Sequence, residues 1–153
     1  MFLPQCFAMI VCSRAQGSGR WEGQSMSARV LVVDDDDPIR NMVMRLLQFS
    51  GAELEVEGCE DGPSALQRLA EDDFQLLLID YTMPAMSGVE VIKTLRQSPR
   101  NRDIPVIMLT ARSENHHLIE SLEGGASFFL AKPFEPQELL DTVGVALGMT
   151  LEF

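Results

Sequence analysis

Carboxylates, a hydroxyl and an ammonium group stand at the ends of apolar runs in this chain. Leu76-Leu77-Leu78-Ile79 runs into Asp80, Val30-Leu31-Val32-Val33 into Asp34-Asp35-Asp36-Asp37, Val106-Ile107-Met108-Leu109 into Thr110, and Phe128-Phe129-Leu130-Ala131 into Lys132-Pro133. Each run reads as a buried strand. If the strands are parallel, their C-terminal ends share one sheet edge, where open α/β sheets bind ligands. Singly, Asp80 reads equally well as the start of a loop, Thr110 as a helix cap and Lys132 as a surface lysine; the set is far more specific than any member. Asp34, Asp35 and Asp80 at one edge would repel one another and raise each other's proton affinity unless a cation sits among them. Water-rich sites with few carboxylates suit Mg2+. Four consecutive aspartates leave the register of the pair open between Asp34-Asp35 and Asp35-Asp36.

Helices must separate these strand ends. Asp37-Pro38 reads as an N-cap followed by Pro at the first helical position, and Ile39, Met42, Val43, Leu46 and Leu47 then recur at helical spacing until Ser50-Gly51. Glu53-Leu54-Glu55-Val56-Glu57 alternates strictly, so one of its faces is wet, as on an edge strand. Asp61-Gly62-Pro63-Ser64 opens a second helix with Ala65, Leu66 and Leu69 inward. Ser87-Gly88 opens a third, with Val89, Val91, Ile92 and Leu95, that breaks before Ser98-Pro99. A fourth follows Thr110, carrying Leu118, Ile119 and Leu122 and ending at Gly124-Gly125; the last begins at Glu135-Pro136 and carries Leu139, Leu140, Val143 and Leu147. Five strands alternating with five helices predict an α/β fold, a doubly wound five-stranded parallel sheet of order 2-1-3-4-5, flavodoxin-like (βα)5.

The order Asp34-Asp35, Asp80 with Met83-Pro84 and Gly88 behind it, Thr110-Ala111, then Lys132-Pro133-Phe134 resembles the receiver domain of two-component response regulators. The spacings of 30 residues from Asp80 to Thr110 and 22 from Thr110 to Lys132 fit that pattern without gaps, over residues 29 to 147. The resemblance favours Asp34-Asp35 as the acidic pair, because Ile39 and Arg40 then fall on the family's helix start. It implies that Asp80 accepts a phosphoryl group from a histidine kinase or histidine phosphotransfer protein. Asp35 would bind Mg2+ directly, Asp34 mainly through water, and Thr82 through its backbone carbonyl, with Asp80 completing the site. Thr110 and Lys132 would meet the phosphoryl oxygens, and a cis Lys132-Pro133 bond would aim the lysine inward. Thr110 and Phe129 would form a switch that reshapes the face of the fourth helix, fifth strand and fifth helix, where a downstream protein target binds. The alternative for Phe129 is core packing, with Phe128 pointing the other way. Thr82 and Arg112 stand where the family tunes the lifetime of the phosphoryl group. His116-His117 invites a catalytic reading, but both lie on the polar side of a predicted helix.

Charge and composition set the remaining expectations. A net charge of −11, and −12 over residues 29–153, argues against nucleic acid as a direct partner. Cys6, Cys12 and Cys59 make an odd count without metal-ligand spacing, so they read as free thiols in a reducing, cytoplasmic compartment. Residues 1–27 read as a leader, disordered or non-native, ahead of a receiver domain at 28–150. Phe2 to Cys12 is apolar, yet no basic residue precedes it, Pro4 and Gln5 interrupt it, and it is too short to span a bilayer. Met26 is an alternative start, since Trp21-Glu22-Gly23 can be encoded with a ribosome-binding sequence. Only six residues follow Leu147, which reads as a stand-alone receiver that signals by binding proteins. The competing enzyme reading is a phosphatase of the haloacid dehalogenase type with Asp34 as nucleophile. It lacks the acidic motif that family carries on a strand after its lysine. A flavin site fails because the first loop is acidic where a phosphate cradle is needed. A scaffold whose phosphorylation has no consequence is the third possibility.

Overall fold

Each apolar run forms a strand, and helical spacing between them forms helices. The computed structural model describes residues 27–111, 125–149 and 151. The elements are β1 (Ala28–Val33), α1 (Asp37–Gln48), β2 (Leu54–Cys59), α2 (Gly62–Glu71), β3 (Leu76–Asp80), α3 (Gly88–Arg96), β4 (Val106–Ala111), β5 (Phe128–Lys132) and α4 (Pro136–Leu147). The predicted helix after Thr110, with Arg112, His116 and His117, lies outside the described residues, as do the leader up to residue 26, Cys6 and Cys12. The five strands form one sheet in the order β2-β1-β3-β4-β5, every pair parallel. This is the predicted doubly wound architecture.

Alternation along the strands divides the core in two. Leu31, Val33, Leu77, Ile79, Val106 and Met108 face one way and pack with Ala65 and Leu69 of α2 and Val89, Val91, Ile92 and Leu95 of α3. Val30, Val32, Leu76, Leu78, Ile107 and Leu109 face the other way, against Val43 and Leu47 of α1 and Leu139, Leu140, Val143 and Leu147 of α4. β3 is buried along its whole length, which explains why its sequence does not alternate. Each fully buried Leu or Ile contributes roughly 1.5–3 kcal/mol. Phe128 and Phe129 pack on opposite faces of β5, as their adjacency requires.

The predicted wet edge is β2. Glu57 pairs with both Arg29 of β1 and Arg68 of α2, and Asp72 also pairs with both arginines. Both guanidinium groups sit over the ring of Phe74, at 4.9 and 5.7 Å from its centroid. Arg96, at the C-terminal end of α3, donates to the carbonyls of Arg102, Ile104 and Gly125, tying the loop before β4 to the turn before β5.

One helix boundary differs from expectation. The N-cap of α1 is Asp36, whose side chain accepts from Ile39 N at 3.3 Å, and Asp37 is already helical. The first helical hydrogen bond, Arg40 N to Asp36 O at 2.9 Å, decides this. Pro38 fits one position later, because its missing N–H falls among the first-turn groups that have no helical partner.

Candidate functional site

Parallel pairing brings the ends of β1, β3, β4 and β5 to one edge of the sheet. Asp34 directly follows β1 and is fully buried. Its Oδ1 accepts from Asp36 N at 2.9 Å and its Oδ2 from Lys132 Nζ at 2.9 Å. Asp80, the last residue of β3, is 8% exposed, and its Oδ1 lies 3.2 Å from the same Lys132 Nζ. One ammonium group therefore bridges two buried carboxylates contributed by strands far apart in sequence. The Lys132–Pro133 peptide bond is cis.

Asp34, Asp35 and Asp80 each offer a carboxylate oxygen, and these atoms lie within 4.8 Å of one another. Asp35 is exposed while its two neighbours in the cluster are buried, so the cluster opens to solvent on the Asp35 side. Asp36 points elsewhere because it caps α1. The cluster thus contains Asp34 and Asp35 but not Asp36. Burial first, and then the charge of Asp34, push the Asp80 carboxyl up to about 6 against the pull of Lys132. Burial pulls the Lys132 ammonium down, but its hydrogen bond to Asp34 and the charge of Asp80 outweigh that, so its pKa is raised. One lysine does not neutralise three carboxylates. Three carboxylate oxygens so close together suit a hard divalent cation that takes oxygen ligands.

Thr110, near the end of β4, is buried, and its Oγ1 has no hydrogen-bond partner among the described residues. Buried hydroxyls are normally satisfied, so one without a partner among the described residues is a candidate contact for a polar ligand. Thr82 is exposed in the loop after β3. Met83 is buried and Met86 half-buried against the core, which makes both of them loop packing. Ala85 takes a positive φ of 70°, and Gly88 N donates to Tyr81 O at 3.0 Å, closing the loop. A Cβ on Gly88 would collide with the Asp80 carbonyl and stand 3.1 Å from Met108 Sδ, so this glycine lets α3 approach the residue that carries the site. Phe129 is half-buried against the same core as Met108. Cys59 is a buried free thiol, its pKa raised by burial.

Arg40 served in the sequence only as a marker of the helix start, with no role of its own. It donates to the Asp34 carbonyl at 2.7 Å and pairs with Asp37. The Asp37/Arg40 spacing of three on a helix was its only available signal.

The chain matches the family described as "Response regulator receiver domain" over residues 30–144. It is 44% identical over 115 residues to the phosphate regulon transcriptional regulatory protein PhoB of Escherichia coli K12, covering 75% of this chain and 49% of that protein. It is 38% identical over 125 residues to the response regulator MprA of Mycobacterium ulcerans, covering 82% of this chain and 52% of that one. The chain thus spans about half the length of these curated relatives. Among solved structures, the Vibrio cholerae chemotaxis protein CheY4 superposes with a TM-score of 0.74 at 36% identity, covering 79% of this chain and 99% of the other. A response regulator from Chloroflexus aurantiacus superposes with 0.76 at 36% identity, covering 80% and 98%.

Proposed function

This chain belongs to the response regulator receiver domain family, and we propose that it accepts a phosphoryl group on Asp80 and signals through phosphorylation-dependent protein binding. The observation that carries this reading is the bridge from Lys132 to Asp80 beside an acidic cluster, with the Thr110 hydroxyl, unpaired among the described residues, on the intervening strand β4 at the same sheet edge. A carboxylate oxygen of Asp80 attacks the phosphorus of a phosphohistidine on a histidine kinase or phosphotransfer protein. The new O–P bond forms as the P–N bond breaks, and its electron pair returns to the imidazole nitrogen. Catalysis of such a transfer is mostly positioning and cancellation of oxygen charge. Lys132 supplies one fixed positive charge, and Thr110 has a hydroxyl free to donate to a phosphoryl oxygen. Asp34, Asp35 and Asp80, with the Thr82 carbonyl, would hold Mg2+, which supplies the remaining positive charge when bound.

In this reading Thr110 and Phe129 are the switch. The hydroxyl turns toward the new phosphoryl group, Phe129 fills the space left, and the surface of the last strand and helix changes. The downstream partner is a protein, not nucleic acid or membrane, and the compartment is the cytoplasm. Among the described residues no helix is long and apolar enough to cross a membrane. The curated relatives PhoB and MprA are about twice as long as the match, so the proposal concerns the matched unit. The phosphatase reading with Asp34 as nucleophile is not supported, because residues 30–144 match the receiver domain family.

Intact mass after incubation with acetyl phosphate, with and without Mg2+, tests the reading, followed by a phosphorylated kinase if the small donor is ignored. One added phosphoryl group that requires Mg2+, is released by hydroxylamine and is absent from Asp80→Asn is the expected result. Modification that persists in Asp80→Asn overturns it.

A further inference from the structure

The four aspartates after β1 are adjacent in sequence but do four different things. Asp34 bonds Lys132, Asp36 caps α1, Asp37 pairs with Arg40, and Asp35 stands exposed in the cluster with Asp34 and Asp80. Such a division needs the backbone from 34 to 37 to be held in one conformation, against the mutual repulsion of its own side chains. Arg40 holds it. The side chain is only 15% exposed, and both guanidinium arms are engaged, Nη1 with the Asp34 carbonyl and Nη2 with the Asp37 carboxylate. The stem lies over β2 at Gly58, where a Cβ would stand 3.1 Å from Arg40 Cδ and 3.4 Å from Cγ. Arg40 thus joins the end of β1, the first turn of α1 and the edge strand.

We infer that Arg40 is a positioning residue for the cation site: it fixes the loop so that the carboxylates of Asp34 and Asp35 are already gathered with that of Asp80 before a divalent cation arrives. This rests on the reading of those three carboxylates as a Mg2+ site. A cation beside carboxylates has a second effect of opposite sign. By Coulomb's law alone, Arg40 repels Mg2+, and removing it tightens metal binding. Loss of a preorganising contact weakens it, by roughly tenfold or more for residues that orient metal ligands. The direction of change separates the two effects.

Calorimetric titration of the metal-free protein with Mg2+, paired with the amide resonances of Asp35 and Asp36, reads that direction in wild type, Arg40→Lys and Arg40→Met. Thermal unfolding without Mg2+ shows that each variant is folded. Lys keeps the charge but lacks the planar fork that spans two acceptors; Met keeps a stem over Gly58 and drops the charge. The expected result is a Kd raised by about tenfold in both. An unchanged Kd in Arg40→Lys with a lowered one in Arg40→Met would mean screening and overturn the inference, and unchanged values in both would leave Arg40 only a helix-terminus contact, which overturns it as well. If Arg40→Met fails to fold, Arg40→Lys decides alone, a wild-type Kd counting against positioning. Wild type is titrated first: if it binds no Mg2+, the cation site itself is refuted and the inference with it, an outcome distinct from a site that binds but ignores Arg40.

Discussion

Asp80 costs the metal-free protein stability. Its carboxyl titrates near 6 in the folded chain, against an ordinary 3.8. As pH rises through that window the unfolded state ionises first, so stability falls between about 4 and 6 and stays lowered at neutral pH. Asp80→Asn removes the charge but keeps the shape. With EDTA at pH 7.5 the variant should be more stable by roughly 1–2 kcal/mol in urea denaturation, allowing for solvent screening, and the gain should vanish near pH 3.5. Thr110 gives a second test. Thr110→Val exchanges a buried hydroxyl, unpaired among the described residues, for a methyl group of the same shape, so stability should stay level or rise by up to about 1 kcal/mol. Labelling by acetyl phosphate should slow by roughly tenfold or more, as expected when a donor to a reacting oxygen is removed. Stability and labelling moving in opposite directions would distinguish a functional hydroxyl from a packed one.

The loop from β3 to α3 and the helix behind it decide where Asp80 points. Gly88→Ala drives a methyl group into the Asp80 carbonyl; a cost of about 1–3 kcal/mol is expected, with a shift of the Asp80 and Tyr81 amide resonances. In the same loop, Ala85→Gly relieves a left-handed residue that carries a Cβ and should stabilise by about 0.5–1 kcal/mol, read as a higher midpoint in urea. Such close approaches are invisible in a sequence, which shows that a glycine is present but not what it touches. The strands were legible because runs such as Leu76 to Ile79 end in turn chemistry, and β2 because it alone alternates. The end of α1 nearest the site was read one residue late, since Asp36 and Asp37 are chemically the same cap and only the Arg40 N–H chooses between them. That Asp34, Asp80, Thr110 and Lys132 gather at one edge was legible as a set of strand ends. The bridge that Lys132 makes between Asp34 and Asp80, the second bond of Arg40 and the orphaned Thr110 hydroxyl depend on distances across the sheet, for which spacing carries no signal.

At the scale of the whole molecule, a cation bound to the folded state alone must raise its stability. Mg2+ at tenfold over its Kd adds about 1.4 kcal/mol by mass action, or about 5 °C in Tm for a domain of this size. Scanning calorimetry should show that rise in wild type and its loss in Asp35→Asn, while Ca2+ and monovalent salt at equal ionic strength separate binding from screening. The sheet that carries this site ends laterally at β2 and β5, and a free strand edge can recruit the backbone of another chain. Glu55 and Glu57 of β2 are charged, and they pair with Arg29 of the neighbouring strand and Arg68 of α2. A neighbour adding itself along β2 would have to strip water from charges on that strand. Charge on the outermost strand therefore works against aggregation, since it disfavours the sheet-to-sheet pairing through which copies of the molecule could polymerise at high concentration.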